Sequence, residues 1–124
     1  MNWVELFDEY RAFLKIEKGL SNNSIDAYMA DLQKLYLFLI NTKNEKTPND
    51  LTTDELQQFI FTISDLGLSA RTQARIVSAI KGFYKFLLLT DKLEHDPAEL
   101  IESPKIGRKL PEVLNANEVD KLQQ

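Results

Sequence analysis

A chain of 124 residues with 44% hydrophobic, 27% charged and 10% aromatic side chains can bury one core, and collagen-like, low-complexity and globally disordered classes are excluded. It has no cysteine and a single histidine, His95, so disulfide scaffolds, cysteine nucleophiles and cysteine- or histidine-rich metal sites are not expected, and no cofactor or metal is called for. The formal net charge of -4 is unevenly spread: residues 1–68 sum to -5, residues 69–92 to +4 and residues 93–124 to -3, and a polyanion responds to the face it meets more than to the total.

In chain order, Trp3, Leu6, Phe7, Tyr10, Phe13 and Leu14 recur at three-to-four spacing and predict a helix from about Asn2 to Lys18, stopped at Gly19. Ser21 is the expected N-cap of a second helix with the stripe Ile25, Tyr28, Met29, Leu32, Tyr36 and Leu39, and residues 41–50 read as a loop. Thr52-Thr53-Asp54-Glu55 offers a capping box to a third helix carrying Leu56, Phe59, Ile60, Ile63 and Leu66, with Gly67 beyond its end.

Ser69 opens a fourth helix running to about Thr90. At 100° per residue its apolar positions, Ile76, Ile80, Phe83, Tyr84 and Leu87, span a sector about 100° wide. Arg71, Arg75, Ser78, Gly82 and Lys85 fall in the opposite sector and are expected to form an open basic face. Asp96, Pro97 and Glu99 signal a short fifth helix. No period-two segment competes, so the fold class is all-α: a compact bundle of four main helices plus a short fifth. Residues 1–101 form the domain. The Ser-Pro-Lys-Ile-Gly-Arg-Lys-Leu-Pro run makes 102–113 an extended linker, and Asn115 with Glu118 starts a new helix within 114–124, read as the beginning of a truncated further domain.

The ordered set Gly19-Leu20-Ser21, Tyr28-Met29-Ala30-Asp31-Leu32, Gly67-Leu68-Ser69-Ala70-Arg71-Thr72, Ala74-Arg75 and Leu100-Ile101-Glu102-Ser103-Pro104-Lys105 resembles the N-terminal core-binding domain of Xer-type tyrosine recombinases and related phage-type integrases. The resemblance covers nearly the whole chain, through Leu110-Pro111-Glu112-Val113-Leu114, which is similar to the entry into the family's catalytic domain. It implies a SAM-like helical module that clamps one side of duplex DNA while an absent catalytic domain closes the other side and cleaves through a phosphotyrosine. It further implies a parent that self-associates on DNA during synapsis, in a bacterial-type cytoplasm. Two helices would lie against the DNA, those beginning at Ser21 and Ser69. No His-x-x-Arg occurs, and nothing resembles the catalytic set, so the chain itself is not expected to be an enzyme. Many relatives carry basic residues where Met29 and Ala30 stand, which shifts the expected phosphate contacts toward the fourth helix.

The candidate DNA-binding residues are Ser21, Asn22, Asn23, Ser24 and Lys34 from the second helix, and Arg71, Thr72, Arg75, Ser78, Lys81 and Lys85 from the fourth. Lys105 and Arg108 of the linker complete the set. Arginines at i and i+4 suit phosphate because each planar fork can bond two oxygens, and a helix start offers free amides to an anion. Tyr10, Tyr28, Tyr36 and Tyr84 lie on or beside apolar stripes and read as core residues, and His95 as a surface residue. Two other readings compete. A helix-turn-helix regulator could span Ile63 to Ile76, though Gln73 stands where that motif buries an aliphatic residue. A protein-interaction module would use Leu37, Phe38, Leu88 and Leu89.

Overall fold

Gly-Leu-Ser occurs twice in the sequence, and each time it turns the chain into a helix of 20 residues. The computed structural model describes residues 2–102. Gly19 and Gly67 hold φ of 62° and 81°, the left-handed region that a glycine enters without steric penalty. Leu20 and Leu68 then tuck against the core. Ser21 and Ser69 take extended conformations, and their hydroxyl oxygens accept from the Ser24 and Thr72 amides at 3.2 and 3.1 Å.

The helices so started, together with two others, are α1 (Trp3–Ile16), α2 (Asn22–Asn41), α3 (Thr53–Asp65) and α4 (Ala70–Leu89). α2 and α4 also end alike. Thr42 and Thr90 cap them by donating hydroxyls to the Phe38 and Phe86 carbonyls at 2.9 and 3.0 Å, and Lys43 and Asp91 follow at positive φ. The first helix is capped by Asn2, whose side-chain oxygen accepts from the Val4 amide at 2.8 Å. The expected box at α3 forms in full: Thr52 Oγ1 takes the Glu55 amide, and Glu55 takes the Thr52 amide. Glu55 also accepts from Asn44 and Lys46 at 2.9 and 3.0 Å, fastening the α2–α3 loop to the helix start.

All four main helices and the all-α class are as the spacing predicts, but two local expectations are corrected. The fifth helix is only a turn: Asp96 caps it through the Ala98 amide at 2.9 Å, and the bonds that follow, Glu99 to Asp96 and Ile101 to Ala98, span three residues, as in a 3-10 turn. Ala98 and Ile101 are fully buried at that spacing while Leu100 is 73% exposed, so no apolar stripe exists to carry a further helical turn. Conversely, residues 41–50 are not all loop, since Pro48–Asp50 forms a 3-10 turn with the proline at its start.

The core centres on α4, which packs against α2 and α3 and meets α1 through aromatic rings. Phe83 stands 5.4–6.3 Å from the rings of Trp3, Phe7, Tyr10 and Tyr84. Two of the buried polar aromatics bond to the same connection. Trp3 donates to the Lys46 carbonyl at 3.0 Å, and Tyr84 donates to the Pro48 carbonyl at 2.7 Å, so both pin the α2–α3 connection over the core. Gln73, 3% exposed, donates to the Leu68 carbonyl at 2.7 Å and closes the first turn of α4 onto its own entry loop.

Burial pushes the Tyr10 hydroxyl from 10.0 up to about 12, with Tyr28 adding to it. Tyr84 is raised too, first by burial and then by the charges of Asp96 and Glu55. A phenol whose pKa is higher when folded supplies stability that is complete below its unfolded value and is lost as pH climbs through the folded one. Chemical denaturation should therefore show stability falling from about pH 10 upward, and Tyr10→Phe should flatten that fall.

A Cβ placed on Gly82 would come 2.6 Å from Tyr10 Oη but 3.8 Å from Cζ. Tyr10 is 4% exposed among Phe13, Phe83 and Phe86 and has little room to move. Gly82→Ala should thus destabilise the domain, overpacking of about 1–3 kcal/mol outweighing a helix-propensity gain of about 1 kcal/mol. In a Tyr10→Phe background, where the obstructing oxygen is gone, the same change should become stabilising. Thermal melts of the four proteins check the reversal of sign.

Candidate nucleic-acid interface

The α4 face that turns inward is wider than its large apolar residues alone indicate. Gln73, Val77, Ala79 and Phe86 are also buried, so the inward sector covers about 180° of the helix. Arg71, Ser78 and Lys85 remain in the exposed sector; Lys81, half-buried, borders the inward sector on one edge and Arg75, exposed, on the other. Gly82 is not part of an open groove wall, because Tyr10 covers it. Thr72 is half-buried and its hydroxyl is engaged with that of Ser69 at 3.0 Å.

Arg75 requires the larger correction. It is not a free surface cation: its Nε and Nη2 donate to Asp31 Oδ2 and Oδ1 at 2.8 and 3.0 Å, a bidentate pair joining α4 to α2. Asp31 is 0% exposed, while the Arg75 side chain keeps 42% of its surface. Lys34 Nζ lies 3.7 Å from Asp31 Oδ1, so two cations flank one buried carboxylate. The hydrogen bond that Arg75 donates to Asp31, and then the charge of that carboxylate, raises the guanidinium above its ordinary value. Asp31 was legible in principle. It sits among Tyr28, Leu32 and Leu35 on the inward stripe of α2, and a charge there must find a partner.

Ser21, Asn22, Asn23 and Ser24 are all exposed at the start of α2. Capping takes the Ser24 amide and leaves those of Asn22 and Asn23 to solvent or a ligand. One further signal distinguishes α2 and α4 from their neighbours. The first turn of α1 carries Glu5 and that of α3 carries Asp54 and Glu55, whereas those of α2 and α4 carry no acid. Arg71 even stands in the first turn of α4, where the helix dipole disfavours a cation. Both positive helix ends are thereby left without a protein anion.

Arg71, Lys81 and Lys85 make no ion pair with another group among the described residues, whereas Lys92 lies 3.7 Å from Glu9. Tyr10 and Tyr84 are buried and Tyr28 and Tyr36 half-buried, as core residues should be; His95 is exposed. Leu37 and Phe38 line an open groove between α2 and α3 together with Ile63 and Leu66, apart from Leu88 and Leu89 at the end of α4. Lys105, Arg108, the linker and the expected start of a further domain lie outside the described residues. Among the described residues no cluster of His, Asp or Glu is arranged to hold a metal ion, and no helix is long and apolar enough to cross a membrane.

Residues 7–90 match the model of the phage integrase N-terminal SAM-like domain. The chain belongs to that family. It is 41% identical over 114 residues to the tyrosine recombinase XerD of Staphylococcus saprophyticus, covering 92% of this chain and 38% of the relative. It is 36% identical over 118 residues to the XerD of Listeria monocytogenes, covering 95% and 40% respectively. The chain thus spans about two fifths of the length of the curated relatives it matches. No solved structure matches it.

Removing Arg75 leaves a buried carboxylate with Lys34, at 3.7 Å, as its one neighbouring cation among the described residues. Arg75→Ala should cost about 1–3 kcal/mol, less than the roughly 3–5 of a fully dry pair because part of the guanidinium is already in water. Arg71→Ala should stay within about 0.5 kcal/mol. Urea melts of the two variants compare them directly, and equal stabilities would mean that the α2–α4 pair does not form in solution.

Proposed function

We propose that this chain is the DNA-binding module of a bacterial tyrosine site-specific recombinase. It clamps one face of the duplex through α2 and α4, while a catalytic domain beyond the matched region carries out strand cleavage through a phosphotyrosine. The names of the relatives support the reaction class. The observation that carries the DNA-binding role is the pairing of two serine-capped, acid-free helix starts with the exposed cations Arg71, Lys85, Lys34 and Arg75 on those same two helices. Amides and dipole at a helix start and cations along its side both favour phosphate oxygens, which position a protein on DNA without reading its sequence. In the full-length protein, synapsis brings copies together on DNA in the cytoplasm, and the linker residues Lys105 and Arg108 add backbone contacts where the chain passes from one domain to the next.

The isolated module should bind duplex DNA with a dissociation constant roughly in the micromolar range or looser, because one face neutralises few phosphates and the acidic remainder repels the polyanion. With about four phosphate contacts, log K should fall against log salt with a slope of about -3.6. Arg71→Ala combined with Lys85→Ala should remove about 1.8 of that slope, with the fold intact since neither side chain is paired among the described residues. Fluorescence anisotropy across a salt series measures both quantities. An unchanged slope would mean that the exposed face of α4 does not meet DNA.

A further inference from the structure

The Asp31–Arg75 pair uses only one edge of the guanidinium. Nε and Nη2 face the carboxylate, which leaves both Nη1 protons and the second Nη2 proton directed away from it, the edge that fits two phosphate oxygens. The Arg75 side chain keeps 42% of its surface exposed, so the pair with Asp31 does not seal it off. Lys34, also 42% exposed, stands beside it on α2, held near the same carboxylate. Two cations and one anion leave a net charge of +1 at the α2–α4 junction, with the anion wholly covered and the cations outermost.

We propose that Asp31 is a positioning residue for DNA binding: without touching the nucleic acid, it fixes Arg75 and Lys34 as a preformed two-cation seat for one backbone phosphate. This rests on the DNA-binding reading above. A free arginine surrenders rotamer freedom when it grips a phosphate, whereas one already locked by a bidentate partner loses less, and its fork is aimed before the ligand arrives. The same pair fixes α2 against α4, so the seat and the two helix starts keep a constant spacing.

Asp31→Asn separates this proposal from simple charge counting, because the two predict opposite signs. Removing a negative charge beside a phosphate site should tighten binding if only net charge matters. If Asp31 positions the cations, the amide, turning an NH2 group toward guanidinium donors, breaks the lock and binding weakens about tenfold. Affinity of the 124-residue chain for a fluorescein-labelled duplex is measured by anisotropy at low salt, at a temperature where circular dichroism shows the variant folded. Binding equal to or tighter than that of the unmodified chain overturns the proposal.

Should Asp31→Asn fail to fold, Arg75→Lys decides the matter: it keeps the charge and a single-point contact with Asp31 but loses the fork. The expected result is about tenfold weaker binding with the salt slope unchanged, and binding at the unmodified level overturns the assignment. If the unmodified chain binds no duplex at any salt, the DNA-binding reading falls first. If it binds and the variants do not weaken it, only the role of Asp31 falls.

Discussion

Everything in this domain is arranged around a helix that buries half its circumference. α4 receives α1, α2 and α3 on an inward sector of about 180°, which leaves only a narrow outward strip. A helix so enclosed needs small residues where neighbours approach closely and polar residues only where a partner waits. Gly82 under Tyr10, the buried Ala79, Gln73 closing on Leu68 and Arg75 closing on Asp31 are the four places where that requirement is met. Phe83 sits at the centre, fully buried, with an aromatic ring from α1 on several sides.

That enclosure also explains which parts of the fold were legible in the sequence. Helix starts depend on local chemistry, a hydroxyl cap preceded at α2 and α4 by a glycine able to enter the left-handed region and joined at α3 by Glu55 in a capping box, and so Ser21, Thr52 and Ser69 could be read off directly. The width of the α4 face could not be read the same way. The stripe of Ile76, Ile80, Phe83, Tyr84 and Leu87 finds the middle of the buried sector and misses its margins, which Val77, Ala79 and Phe86 fill and Gly82 and the stem of Arg75 border. The fifth helix failed for the opposite reason: its cap is real, but a cap commits only one turn, and propagation needs a stripe that Leu100 does not supply.

Within the candidate interface the same division holds. Arg71 and Lys85 were legible because a cation on an outward strip needs no partner, and they lie there as expected. Arg75 was legible as a cation near α2 and α4 but not as half of an ion pair, because its partner lies 44 residues away and pairing across that distance is set by packing. What the sequence did contain was Asp31 itself, a carboxylate on an apolar stripe. Partnerless, such a group would cost several kcal/mol, so its presence already required a cation from another element.

The electrostatic consequence runs against the composition. Of the five cations in residues 69–92, Arg75 is tied to Asp31 and Lys92 lies near Glu9, so the segment's excess of +4 overstates the charge that faces outward from α4 itself. Compensation comes from placement. The carboxylate that neutralises Arg75 is wholly covered, and the acids that elsewhere offset helix dipoles are confined to the starts of α1 and α3. At the starts of α2 and α4 the free amides and exposed cations thus stand with no acid in the first turn, and the exposed Asp26 in the second turn of α2 is paired with Arg11. A chain of net charge -4 can in this way present a locally attractive face, provided that the screening length, about 8–10 Å at ordinary ionic strength, keeps the distant acidic surface out of range. Binding governed by such a face falls with added salt and depends little on base sequence. That behaviour is what the proposed role requires, a module that would hold the duplex while another part of the protein acts on it.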